Sequence, residues 1–333
     1  MGTRRPLLFL LLAAPWSGAL AQDPQFTQNF AAPLYLNPAL TGNTYQDRLI
    51  LNYRKQWPGI APGYDTYAVS YDHRASTLNS GFGVMAMRDV AGSNSLAFTM
   101  LAANYSYEAH IDRKHGIRGG LRFAYTRREF DPSNVLFADQ VIRDNAPTSI
   151  EPPMIERVQY FDAAVGLVYF GERAWVGTSF NHINRPQQTL LNGGNTRLAI
   201  RSSVHGGYRF PLDGLTMRKS RTILTAAAHY KAQDKWDQFD VGAYIEHRQL
   251  TGGIWYRGLP ALKAYKRGYA NNDAVAVMIG YETVNQFTFV YSYDVTVSTL
   301  TMASAGAHEI SITYEWPVRK KARRYRVVPC PKF

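Results

Sequence analysis

Residues 286–295 read QFTFVYSYDV and residues 308–316 read HEISITYEW, and these two runs decide the fold. In the first, Phe287, Phe289, Tyr291, Tyr293 and Val295 share one face of an extended strand. Thr288, Ser292 and Asp294 share the other, with one apolar intruder, Val290. In the second, Ile310, Ile312, Tyr314 and Trp316 alternate with Glu309, Ser311, Thr313 and Glu315. Strict alternation is a β period, not a helical one. A strand that is apolar and aromatic on one side yet carboxylated on the other needs hydrocarbon outside and polar groups or water inside. A closed transmembrane β-barrel supplies both.

The same alternation recurs through the chain. It predicts strands over 46–56, 64–73, 80–90, 95–111, 115–130, 157–170, 173–182, 197–210, 220–231, 236–248, 250–257, 273–283, 286–296 and 307–316. Tyr67, Val69 and Tyr71 oppose Ala68, Ser70 and Asp72; Phe239, Val241, Ala243 and Ile245 oppose Asp240, Gly242 and Glu246. A soluble sandwich also alternates. Against it stand the aromatic ends of the apolar faces, strand lengths near ten residues, and an opposite face that is repeatedly charged. The expectation is an all-β protein, a closed antiparallel transmembrane barrel of about fourteen strands with short periplasmic turns and long extracellular loops. Gap lengths fix the orientation if the amino terminus lies in the periplasm. Gaps after odd strands (131–156, 183–196, 258–272, 297–306) are long, and those at Gly171-Glu172, Gln249 and Val284 are short. On this pattern arginine should be costly at lipid-facing Ile312 and cheap at inward Thr313.

Arg4 and Arg5, an apolar run from Leu7 to Ala14, and Ala19-Leu20-Ala21 form a secretory signal peptide over residues 1–21, cut before Gln22. The run is well short of the roughly 20 apolar residues of a spanning helix. Tyrosine (22) outnumbers phenylalanine (16), as interfacial girdles favour. The formal charge is +12, two units of which belong to the signal. An exported basic protein meets outer-membrane lipid, a lipopolysaccharide surface or an acidic partner, and no nucleic acid. The single cysteine, Cys330, excludes a disulfide framework.

Residues 22–45, beginning QDPQFTQNFAAPLYLNPALTGN, are rich in Pro, Asn and Gln and lack alternation. They form an irregular periplasmic lead-in or a plug folded into the lumen. The barrel proper spans 46–316, and residues 317–333 form a basic periplasmic tail. That tail carries Arg319, Lys320, Lys321, Arg323, Arg324, Arg326 and Lys332 and no acid, which suits lipid phosphates or a periplasmic partner. No catalytic set, metal site or cofactor motif emerges. His110 and His115 lack a third ligand, Gly81-Phe82-Gly83 lacks the third glycine of a nucleotide loop, and His308 has no Gly-x-Ser-x-Gly serine. The protein is expected not to be an enzyme.

Four motifs in order, QDPQFTQNFAAPLYLNPALTG, YRKQWPG (Tyr53 to Gly59), YSYDVTVSTL with GAHEISITYEW (Tyr291 to Trp316), and the basic tail closing in PCPKF, resemble the PorP/SprF family. These are outer-membrane proteins of the type IX secretion and gliding machinery of Bacteroidota, and the resemblance covers essentially the whole mature chain. Ala307 departs from it, standing where Ser is expected before His308-Glu309. The resemblance implies a partner-binding barrel that meets secreted proteins with C-terminal sorting domains, or adhesins, through its outer loops. It implies contact with periplasmic and lipoprotein components of the apparatus through the lead-in and tail. The partner-binding candidates are Trp57, Asp294, His308, Glu309, Arg319, Lys320, Lys321, Arg323, Arg324 and Arg326. The rival reading from another class is a passive porin or small-solute transporter, since a barrel of this size can hold an open lumen. A weaker third is an outer-membrane hydrolase built on His308.

Overall fold

The protein is described by a computed structural model over residues 23–60, 63–92, 96–112, 114–131, 138–144, 147, 155–190, 192–214, 217, 220–258, 272–297, 304–317 and 328–329. Its strands are β1 (Asp47–Gln56), β2 (Tyr64–Ala75), β3 (Ser80–Ala91), β4 (Leu96–His110), β5 (Gly116–Phe130), β6 (Arg157–Phe170) and β7 (Ala174–Asn181). They continue as β8 (Arg201–Pro211), β9 (Thr222–Gln233), β10 (Trp236–His247), β11 (Leu250–Gly258), β12 (Asn272–Glu282), β13 (Phe287–Thr296) and β14 (Ala307–Glu315). Each strand pairs with its sequence neighbours, and β1 pairs with β14, so the sheet is a closed antiparallel barrel. Every strand falls within a few residues of its expected span.

The alternation has the predicted physical meaning. Side chains on one face are buried and those on the other exposed, in strict alternation from Met100 to Ala109 of β4 and from Gly120 to Thr126 of β5. Leu101, Phe123, Ile254, Val277 and Ile279 hold the outward middle band. Aromatic rings gather above and below it: Tyr71, Tyr105, Tyr107, Tyr208, Tyr281 and Phe287 toward one rim, Tyr53, Tyr67, Tyr125, Phe161, Tyr291 and Tyr293 toward the other. An apolar waist between two aromatic girdles matches a bilayer, whose core is apolar and whose interfaces favour amphipathic rings. Among the described residues no helix is long and apolar enough to cross a membrane; the crossing is made by strands.

An even strand count puts the start of β1 and the end of β14 on one rim. That rim carries the tight connections at 171–173 and 248–249 and is the periplasmic one by the usual asymmetry of such barrels. The other rim carries 131–156, 182–200 and 259–271. Three connections depart from the expected parity, the four-residue link 92–95 between β3 and β4 on the long-loop rim being one. On the long-loop rim β9 and β10 are joined by Asp234-Lys235 alone, with Asp234 at φ 52°, while on the periplasmic rim β8 and β9 are separated by residues 212–221. Asp tolerates that left-handed backbone because its side chain can bond locally, which is why two residues suffice for the hairpin.

Inside the barrel lies the segment from Asp23 to Thr44. Phe30, Ala31, Leu36, Ala39 and Leu40 pack with Trp175, Tyr244 and Trp255 of the wall, and Leu34 packs with Met85 and Met100. The interior is therefore a packed polar–aromatic core rather than a water-filled space around the inward faces. This corrects the expected tolerance at Thr313. Its side chain is 3% exposed, so an arginine there meets side chains and not solvent.

Candidate functional site

The plug owes its local form to its prolines and to Asn37. Pro33 opens a single helical turn, Pro33–Leu36, where the missing N–H costs nothing. Pro38 opens a second turn, Pro38–Leu40, whose cap is the Asn37 side chain accepting from Ala39 N at 2.9 Å. The Asn37 amide also donates to the Thr178 carbonyl at 3.0 Å, tying the cap to β7. Such short turns leave most plug backbone groups without internal partners. Buried, they must be satisfied by the wall.

In the half nearer the long loops the wall supplies carboxylates. Glu309 accepts from Thr27 N at 2.7 Å and Gln28 N at 3.1 Å, and Asp294 accepts from the Thr27 hydroxyl at 2.6 Å. Two guanidiniums neutralise the pair. Arg54 reaches Glu309 at 3.1 Å and Asp294 at 3.0 Å; Arg257 reaches Asp294 at 3.2 Å, Thr27 Oγ1 at 2.9 Å and Asp240 at 3.4 Å. All are buried. Removing charges from water is costly, and mutual pairing together with hydrogen bonds to the plug offsets that cost.

Toward the periplasmic rim the wall offers mainly donors to plug carbonyls. Arg118, 1% exposed, donates to Ala39 O at 3.0 Å and to Thr41 O, and is neutralised by Glu108 at 3.2 Å. Ser106 donates to Thr41 O at 2.6 Å, Ser179 to Leu36 O at 3.0 Å and Asn52 to Ala31 O at 3.1 Å. Asp72, paired with Arg48, accepts from Gly42 N at 2.7 Å. The plug lies so close to β5 that a Cβ on Gly120 would fall on the backbone of Pro38-Ala39, whereas one on outward-facing Gly119 meets nothing. Below it the carboxy-terminal segment returns to the plug. Val328 N donates to Asn43 Oδ1 at 2.8 Å, and Val328 is buried among the core side chains.

The start of the plug is clasped at the long-loop rim. Asp23 lies 2.8 Å from His182 Nε2 and 2.9 Å from Arg201, and His182 Nδ1 lies 3.0 Å from Asp162. Arg201 also donates to the Tyr35 hydroxyl at 3.0 Å and stands over its ring. Burial opposes charge on both members of the clasp, but attraction outweighs it. Asp23 is held well below the usual carboxylate range by His182 and Arg201, and His182 is raised above its ordinary value by the carboxylates of Asp23 and Asp162. The lead-in therefore begins at the long-loop rim and descends to β1. The amino-terminal end of the described chain is not in the periplasm, because an irregular segment of this length spans the barrel's height before the first strand.

The structure separates the residues that the sequence grouped. Glu309 and Asp294 point inward and hold the plug. His308 points outward, its Nδ1 2.8 Å from the Tyr291 hydroxyl and its ring against Tyr293. Trp57 follows β1 at φ 56°, a strained conformation for a bulky residue, donates its N–H to Gly306 O at 2.8 Å and packs edge-on to Tyr64. Arg319, Lys320, Lys321, Arg323, Arg324 and Arg326, like the signal peptide and Cys330, lie outside the described residues. His110 pairs with Glu108 and His115 with Asp112, and among the described residues no cluster fit for a metal ion forms. Thr27, Asn37, Arg54, Arg118 and Arg257 were not anticipated. Parity alone could have found Arg54, which alternates with outward Tyr53 and Lys55.

Comparison with known proteins agrees with this architecture. The family described as "Type IX secretion system membrane protein PorP/SprF" matches residues 19–314. The toluene transporter TodX of P. putida is similar in fold, with a TM-score of 0.50 at 11% identity over 85% of this chain and 93% of that one. The Acinetobacter baumannii outer membrane protein Omp33 gives a TM-score of 0.45 at 8% identity over 83% of this chain and 100% of that one. No curated protein matches the sequence.

Proposed function

The chain belongs to the PorP/SprF family of type IX secretion system membrane proteins, and from that premise we propose that it is a non-catalytic, partner-binding subunit of the secretion and gliding apparatus. In this reading the long outer loops engage secreted proteins with C-terminal sorting domains or an adhesin. The opposite rim, where Val328 meets Asn43 and from which the basic tail departs, engages periplasmic and lipoprotein components. The observation that carries the reading is the filled lumen. Residues 23–44 are bonded to the wall along their length by hydrogen bonds with buried charged side chains, and at Asp23 by an ion pair, which favours a docking body over the rival porin or small-solute transporter. A conduit needs a continuous wet path, and here inward groups that could line one, among them Glu309, Asp294, Asp72 and Arg118, bond the plug instead.

Affinity purification of the tagged protein from its native membrane tests the proposal. Co-purification of other secretion-apparatus components and of exported proteins with C-terminal sorting domains is the expected result. Recovery of the barrel alone, together with steady open-channel current in a planar bilayer, would overturn it in favour of the porin.

A further inference from the structure

The lipid-facing surface of β1–β5 carries a feature that alternation and closure do not require. Strand register aligns Tyr53, Tyr67, Arg88, Thr99 and Arg127 in one outward row near the long-loop rim. The next row toward the middle is Leu51, Val69, Ala86, Leu101 and Tyr125. Ala86 is a methyl set between Val69 and Leu101, and Ala103, one row deeper, stands between Val84 and Phe123. The missing bulk leaves a groove of about 480 Å³ walled by Leu51, Tyr67, Val69 and Ile310 and ending at Arg88. A second recess of about 560 Å³ continues it over Ala86 and Ala103.

Arg88 is exposed, and its guanidinium donates to Thr99 Oγ1 at 3.4 Å; among the described residues no carboxylate pairs with it. The acids one row further out are already engaged. Asp65 accepts from Tyr53 at 2.7 Å and from Lys55 at 3.2 Å, and Glu129 accepts from Arg127. An arginine on the lipid-facing side at aromatic-girdle height is level with the headgroups, where its guanidinium meets lipid phosphates rather than hydrocarbon. A forked guanidinium at the head of an apolar groove complements an acyl-bearing anion, and in an outer leaflet that anion is a lipid phosphate.

We propose that this groove is the seat of one phosphate-bearing lipid of the outer leaflet, with an acyl chain lying over Ala86 and Ala103 and its phosphate bonded to Arg88. The site is on the outer surface and makes no use of the plug or of any secretion partner. It stands on the barrel and its girdles alone.

The test uses the full barrel in dodecyl maltoside micelles, which carry no phosphate, titrated with monophosphoryl lipid A, bound lipid being counted by native mass spectrometry. Arg88→Gln removes the phosphate contact, and Ala86→Leu fills the groove without touching the charge. Each is expected to weaken retention about tenfold, the loss of one charge-assisted contact or one chain seat. Lys114→Gln, an exposed change in the turn between β4 and β5 at the opposite rim, is expected to leave it unchanged. Heat-dependent gel migration verifies that each variant is a closed barrel. Wild-type retention by either Arg88→Gln or Ala86→Leu, or displacement of the lipid by equimolar inorganic phosphate, would overturn the proposal.

Discussion

Glu309 Oε2 accepts the backbone N–H of Thr27 at 2.7 Å across 282 residues of sequence, so the strand that closes the barrel also holds the segment that fills it. Glu309→Ala would leave the Arg54 guanidinium short of one carboxylate and two plug N–H groups without an acceptor. Breaking a buried pair from one side costs about 3–5 kcal/mol. Hydrogen exchange of the peptide covering residues 23–31 should accelerate strongly in this variant while strand peptides stay protected. Unchanged plug protection would show that Glu309 is dispensable for docking.

Residues 119 and 120 offer a test with its own control. Gly120→Val drives a side chain into Pro38-Ala39 and should displace the lower plug, destabilising the protein by about 1–3 kcal/mol or more, as overpacking does. Gly119→Val points to open space on the lipid face and should be neutral or mildly stabilising. Equal melting temperatures for the two variants would contradict the close approach.

Deleting residues 23–43 removes the plug and leaves its wall partners, Asp294, Glu309, Arg118 and Arg257, facing water. The deleted barrel should pass steady current in a planar bilayer, and the intact protein should not. Large steady current from the intact protein would show an open lumen and favour the porin.

The Asp23–His182 clasp predicts a pH profile. A raised histidine contributes stability that is fully present below its unfolded value, about 6.5, and is lost as pH rises through its higher folded value. The lowered Asp23 contributes stability present above about 3.9 and lost as pH falls through its folded value. The clasp is therefore firmest in mildly acidic solution. Exchange of residues 23–28 should speed up on the alkaline side, and His182→Gln should flatten that dependence.

Removing residues 318–333 takes away the Val328–Asn43 contact with the basic run. The barrel should still enter the membrane, because every strand remains, while recovery of periplasmic components with it should fall several-fold. Undiminished recovery would count against docking through this tail.

The strands and their faces were legible because alternation is local and repeated; Phe287 to Val295 state their face within one strand. The inward acids were legible as a polar interior, but their purpose was not. What Glu309 and Asp294 bind is a segment at the other end of the chain, and no local pattern encodes a contact between Thr27 and Glu309. Glycine showed the same limit: Gly119 and Gly120 are indistinguishable as letters, and only register reveals which one faces the plug. His308 and Glu309 are adjacent in sequence, and alternation, applied to that pair, already sends them to opposite sides of the wall.

The β1–β14 seam bears on biogenesis. No cylinder exists until the final strand has been delivered, yet the portion to be enclosed leaves the ribosome long before it. The bond from Thr27 to Glu309 therefore cannot form before that last strand arrives, so the final anchoring of the early segment is as late as the sealing of the wall. A polypeptide cut short before Ala307 forfeits the enclosure and its contents together.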